Sequence, residues 1–254
     1  MLARQLEVQH EQLASDPSAM VRAAYNIADA NALLSAHADA LSGVRLAGEV
    51  YSDVVQPMER ALAQRCREVV AGFTLVTEAA FARDGFVGVG VEAARKPQVT
   101  ACLKALWLLS EDGLVRAVDA FLAGHVAAAV AGLARSLTAL TTLDRTLADV
   151  GARCASVVAM QGYLQTVGLA DDVLARLDVK KLSTGFWRNV AAGWEPRVRE
   201  VVARGGAGAR ILRAGRERVR EGVRACVIKG LGGEEGKCEF EVAVMVGAVG
   251  SLGR

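Results

Sequence analysis

The stretch "LDRTLADVGARCASVVAMQGYLQ", residues 143–165, decides the fold class. Leu143, Leu147, Val150, Cys154, Val157, Gln161 and Leu164 follow one another at alternating steps of four and three. Such steps keep side chains on one face of a helix with 3.6 residues per turn, whereas a strand needs steps of two. The spacing therefore predicts a helix seam. Its phase runs back through Leu140, Ser136 and Leu133, with the β-branched pair Thr141 and Thr142 as the point where the helix breaks or bends. One long helix and a tight helical hairpin both satisfy the pattern.

Composition extends this reading to the whole chain. Of 254 residues, 52% are hydrophobic but only 5% aromatic, and four prolines interrupt them. A mixture dominated by Ala, Leu, Val and Arg favours helices packed closely on small residues over a β-rich fold. The length suits one large domain or two. Cys66, Cys102, Cys154, Cys226 and Cys238 are widely spaced, with no CxxC and no short Cys/His cluster. Neither a zinc site nor a disulfide framework is suggested, and buried, reduced cytosolic thiols are expected. The opening "MLARQLEVQHEQL" alternates charged with apolar residues and has no hydrophobic region of a secretory signal. Read residue by residue, no apolar run approaches the roughly 20 residues that span a bilayer.

Along the chain, "SDPS" announces a helix: Ser15 or Asp16 as cap, Pro17 in the first turn, and Ile27, Leu34, Ala38 and Leu41 on one face. Pro57 implies a kink or a fresh helix near Gln56. Residues 83–97, "RDGFVGVGVEAARKP", read as a connector. The helices on either side of Glu111–Gly113 form a hairpin turning at those residues, since Asp-Gly is a turn former. Two more helices are expected at about 182–203 and 209–228. After the loop "LGGEEGK", the apolar "FEVAVMVGAVGSLGR" is a helix or strand that stops uncovered, as in a fragment of a longer rod. The domain expectation is residues 1–96 as a first helical bundle with its connector, 97–230 as a second bundle, and 231–254 as a loop and an apolar segment.

Chemistry-bearing patterns are few. "GVGVEA", residues 88–93, matches GxGxxA but lacks the preceding strand and βαβ context that a dinucleotide turn requires. "GGAGAR", residues 205–210, has no Lys-Ser/Thr of a phosphate loop and reads as a flexible linker. His10, His37 and His125 are remote from other ligand-type residues, and His125 shares a face with Leu114, Val118 and Phe121, which makes it a core histidine. The carboxylate pairs Glu111-Asp112, Asp171-Asp172 and Glu234-Glu235 fall at turns, where capping accounts for them. No catalytic residue, cofactor site or metal site is assigned, and no enzymatic activity is expected.

One charged feature remains. Residues 204–230 carry eight Lys or Arg against two Glu in a chain whose net charge is only +2. On a helix, Leu212, Val219, Val223 and Cys226 form an apolar face, flanked by Arg213, Arg216, Arg220 and Arg224, with Glu217 and Glu221 within ion-pairing reach. The flank reads first as a solvated, internally paired face and next as a contact for an acidic partner helix. An anionic lipid surface follows, and nucleic acid comes last because no Phe, Trp or Tyr interleaves the stretch.

The order of the segments resembles a known family. "KPQVTACLKALWLLSEDGLVRAVDAFLAGHVAAAVAGLARSL", then "RCASVVAMQGYLQ", then "STGFWRNVAAGWEPRVREVV", are similar to the middle region of the fifth subunit of the conserved oligomeric Golgi complex. "AYNIADANALLSAHADALSGVRLAGEVYSDVV" is similar to the helices that precede it. The resemblance implies an all-α, elongated succession of helical bundles and a non-enzymatic subunit that tethers retrograde vesicles at the Golgi. It implies other subunits of the same complex and SNARE proteins as partners, no nucleic acid, and peripheral attachment to the cytosolic face of the Golgi membrane. The resemblance implies that the family's N-terminal coiled-coil region and the C-terminal half of its rod are to be expected outside these residues. The alternative from the residues alone is a helical binder of anionic surfaces or nucleic acid through the basic helix 209–228.

Overall fold

Asp16 opens the first helix by accepting the Ser18 backbone N–H at 2.9 Å, with Pro17 in the first turn where its missing N–H costs nothing. In this computed structural model, residues 16–41, 43–75, 89–136, 140–231 and 238–250 are described. Every regular element among them is helical. Helix α1 is Pro17–Ala36, followed by the short α2, Ala38–Leu41, and α3, Arg45–Val50. The buried face of α1 is Ala19, Met20, Ala23, Ala24, Ile27 and Ala30. Its expected continuation is not buried: Leu34 and Leu41 are only partly covered and Ala38 is exposed, because the helix stops at His37.

Pro57 acts as expected, through an unforeseen device. A proline cannot donate to the carbonyl four residues back and its ring presses on that carbonyl. Backbone here widens into a π-turn at Tyr51–Val55, and a fresh helix, α4, runs Gln56–Ala71 with the proline in its first turn. The connector reading of 83–97 needs correction. Residues 89–97 already belong to α5, Val89–Leu109, and Pro97 sits inside it; residues 83–88 lie outside the described residues. Likewise the turn expected at Glu111–Gly113 shrinks to Ser110. Its Oγ accepts the Gly113 N–H and its carbonyl accepts the Leu114 N–H, each at 3.0 Å, so the three residues form the first turn of α6, Glu111–Ser136.

The seam residues of 143–165 lie on α7, Leu140–Thr166, and all are buried except Gln161, which is partly covered. Of the two readings, the hairpin holds: a Cβ added at Gly132 of α6 would lie 3.2 Å from Thr146 Cγ2 of α7, so the chain doubles back between them. Thr141 and Thr142 are within the first turn of α7 and do not break it; the connection at 137–139 lies outside the described residues. Helix α6 is also long and apolar enough to cross a membrane, with mean hydropathy 1.7 over its best window. The expectation that no segment is apolar enough therefore needs correction: residues 120–134, AFLAGHVAAAVAGLA, hold no charged side chain. One stripe of α6 is buried in the protein: Leu114, Val118, Phe121, His125, Ala129 and Leu133.

Next come α8, Asp171–Arg176, a 3-10 turn at Val179–Lys181, and α9, Leu182–Arg204. The helix expected at 209–228 is two: α10, Gly206–Ala214, and α11, Arg216–Gly230. The linker reading of "GGAGAR" contracts to its first two glycines, whose φ of 68° and 78° lie where L side chains rarely go. The apolar C-terminal stretch is helix α12, Glu239–Ala248.

Two compact units divide these elements. The first is residues 1–73, 92–121 and 163–177, and the second is 74–91, 122–162 and 178–254. In the first, Phe73 packs against Phe121 and Tyr163 with ring centroids 6.2 and 5.6 Å apart, and Met20 Sδ lies 3.6 Å from Cys102 Sγ. Arg176 of α8 ties back to Glu111 and to Asp112, the latter at 2.6 Å. In the second, α9 packs on α12, and Trp187, Trp194, Phe186 and Val190 are buried. Burial of each such large side chain contributes about 1.5–3 kcal/mol. Close approach depends on small residues: a Cβ on Gly193 of α9 would come within 2.8 Å of Val130 Cγ2.

Candidate partner-binding surface

The predicted apolar face of the basic segment is buried in full: Leu212, Val219, Val223 and Cys226 all point into the second unit. The Cys226 thiol donates to the Leu147 carbonyl at 2.8 Å, and Gly222 lets Leu147 Cδ1 come within 3.2 Å of where a Cβ would sit. This docking leaves the arginine flank outside. Arg213 is exposed on α10, while Arg216 and Arg220 are partly covered and Arg224 is exposed on α11. The four are thus split between two helices by the break at Gly215.

Charge pairing within the flank follows the short-range pattern. Glu217 Oε1 lies 3.4 Å from Arg220 Nη1 and 3.7 Å from Arg216 Nε. A further arginine outside the predicted four, Arg218, reaches Asp144 Oδ2 of α7 at 2.9 Å. Exposed pairs of this kind contribute about 0–1 kcal/mol each. Their effect is on register and local potential more than on stability.

The thiols take no part in a surface. All five are buried thiols outside any disulfide. Hydrogen bonding with Cys102 and then burial push the Cys66 thiol far up, and burial does the same for Cys154. His125 is buried as the helix phase required, and His37 closes α1 at its C-terminus. His10 and the pair Glu234-Glu235 lie outside the described residues. Glu111 and Asp112 start α6 and hold Arg176, while Asp171 and Asp172 start α8. Pairing with Arg176 holds the Asp112 carboxyl below its ordinary range. Among the described residues no group of three His, Cys, Asp or Glu is placed to hold a metal.

A second surface, in the first unit, was not legible in the pattern. The end of α1, α2, α3 and the π-turn enclose an open groove of about 360 Å³, walled by Leu34, Ala38, Leu41, Ala47 and Tyr51. Around it Leu33, Val44 and Tyr51 stand 54%, 45% and 38% exposed, so large apolar side chains concentrate where the core face of α1 runs out. Leu34 and Ala38 share the helix phase of Ile27, so the pattern marked them as core and gave no sign that this end of the face is left open.

Comparison with known proteins now bears on these surfaces. The sequence model described as "Conserved oligomeric Golgi complex subunit 5, C-terminal" matches residues 41–227. No curated protein matches. Among solved structures, a chain of the Cog5-Cog7 complex from Kluyveromyces lactis is similar with a TM-score of 0.77 at 16% identity. The likeness covers 100% of this chain and 91% of that one. At that identity it speaks for the fold, a helical one shared along the whole length.

Proposed function

The chain belongs to the family of conserved oligomeric Golgi complex subunit 5, C-terminal, and from that membership we propose how it works as a helical scaffold of a Golgi tethering complex. Its contribution is geometric: rigid helices hold partner helices at set positions, and no reaction is carried out on the chain itself. The observation that carries this reading is the family match over residues 41–227, which includes the seam of α7 and most of the basic segment. The physical form supports it, because amphipathic helices packed on glycine and alanine leave surfaces for partners.

Partners under this reading are other subunits of the same complex. The similar solved chain is part of a Cog5-Cog7 assembly, which makes a seventh-subunit relative the first one to test. SNARE proteins are the further class, and attachment to the cytosolic face of the Golgi is peripheral, through the assembled complex. Arg213, Arg216, Arg220 and Arg224 serve as a contact for carboxylates of a partner helix, since the planar guanidinium matches a carboxylate in two hydrogen bonds.

Affinity purification from cells with this chain as bait tests the proposal. Recovery of other subunits of the Golgi complex, at a level comparable to that of a full-length relative, is the expected result. Recovery of none, beside a working full-length control, overturns it.

A further inference from the structure

Three sulfur atoms meet in the core of the first unit, one from each of three helices. Cys66 lies midway along the buried stripe of α4, between Leu62 and Val70. Cys102 lies on α5 between the buried Val99 and Leu106. Both side chains are fully buried. The two thiols hydrogen-bond to each other, and Cys102 Sγ in turn lies 3.6 Å from Met20 Sδ of α1. As packing, a buried cysteine is only a small hydrophobe, and valine would fill either place. What a facing pair of thiols can do and a pair of valines cannot is lose two hydrogens and join. From hydrogen-bond contact, a small shift brings the sulfurs to the bond length of about 2.05 Å.

We propose that Cys66 and Cys102 form a reversible disulfide that locks α4 to α5 when the chain meets hydrogen peroxide. In the first step one thiol sulfur attacks a peroxide oxygen, the O–O bond breaks, and a sulfenic acid and one water result. In the second step the other thiol displaces hydroxide from the sulfenic sulfur. The S–S bond forms, and the displaced hydroxide leaves as water with the thiol's proton. Two electrons thus pass from the sulfur pair to the peroxide, and a dithiol reductant reverses the change by exchange. Burial sets the threshold for the reaction. A neutral, enclosed thiol is a poor nucleophile, so the first step waits for a local opening that admits peroxide. Met20 lies against Cys102, which makes movement of α1 away from α5 the opening that serves. Cys226 of the second unit differs, since its thiol is engaged with the Leu147 carbonyl. The pair stays reduced while the first unit is tightly packed and closes in one that loosens under oxidant.

The test incubates the full, reduced chain with hydrogen peroxide under conditions where its circular dichroism is unchanged. Remaining thiols are then alkylated and the chain is mapped by mass spectrometry without reduction. The expected product is a linked peptide pair joining Cys66 to Cys102, which dithiothreitol releases. Because a cross-link between residues far apart in sequence restricts the unfolded chain, the melting temperature should rise by at least about 4 °C and fall back on reduction. Met20→Ala, which uncovers the pair, should bridge faster, and Cys66→Ala should lose both the bridge and the rise. Cys102→Ala carries the same test should circular dichroism show Cys66→Ala misfolded, and the map of the unaltered chain decides in either case. A folded chain in which Cys66 and Cys102 stay reduced, pass instead to sulfinic acids, or bridge only after unfolding in urea overturns the inference. So does a bridge that leaves the melting temperature where it was, or a folded Met20→Ala chain that bridges no faster.

Discussion

Gly193 sets the spacing of α9 against its neighbour. A methyl at that position would stand 2.8 and 3.2 Å from the two Cγ atoms of Val130, and a branched side chain on a packed helix has nowhere to turn. Alanine normally improves a helix over glycine by about 0.5–1 kcal/mol. Overpacking costs about 1–3 kcal/mol, so the clash wins. Gly193→Ala is expected to lower the melting temperature, whereas Gly185→Ala on the same helix, with open space around it, should raise it slightly. Calorimetry on the two variants checks the sign of each, and a melting point for Gly193→Ala equal to that of Gly185→Ala would refute the close approach. Composition predicted packing on small residues; which glycine bears it was not legible, since the partner Val130 is 63 residues away in sequence.

At the scale of elements, starts were legible and junctions were not. Asp16 with Pro17, and Pro57, are local signals because cap and proline act through the next few backbone atoms. Ser110, by contrast, overrode the Asp-Gly beside it: a serine that caps leaves Asp112 and Gly113 free to be helical. The break at Gly205 needed only the first glycine pair of "GGAGAR", and the later glycine was absorbed into α10. The start of α1 gives a pH prediction. Hydrogen bonds from the Ser18 side chain and backbone, helped by Arg22, hold the Asp16 carboxyl below its ordinary value of 3.8. A depressed folded pKa means that the stabilisation is present above the unfolded value and is lost as pH falls through the folded one. The Asp16 carboxyl carbon should therefore titrate below a free aspartate, and protection of the first-turn amides should fade over that acidic range. Asp16→Asn keeps an acceptor oxygen without the charge, so its first turn should be insensitive over the same range. A normal Asp16 titration would refute the cap's electrostatic part.

At the scale of the molecule, the all-α class was legible because the 3.6-residue period of residues 143–165 and the scarcity of aromatics and prolines agree. The apolar face of the basic segment was legible for the same reason. The groove was not, because it is assembled from the end of one helix, two short helices and a π-turn whose mutual placement no local period encodes. The arginine flank remains the place where scaffold and anionic-surface binder diverge. A binder that neutralises phosphates loses affinity steeply with salt and needs many free cations, whereas here Glu217 lies beside Arg216 and Arg220, and Asp144 holds Arg218. The unaltered chain is expected to show no salt-sensitive binding to single-stranded RNA or to phosphatidylserine vesicles. Replacing Arg213, Arg216, Arg220 and Arg224 by Glu should instead slow capture of a partner subunit at about 0.05 M salt. That difference should close near 0.3 M, because charges at a rim act over a screening length of about 10 Å at 0.1 M that shortens further with salt. Surface plasmon resonance against a co-purified subunit measures it; RNA or vesicle binding abolished by the same four substitutions would return the flank to the anionic-surface reading.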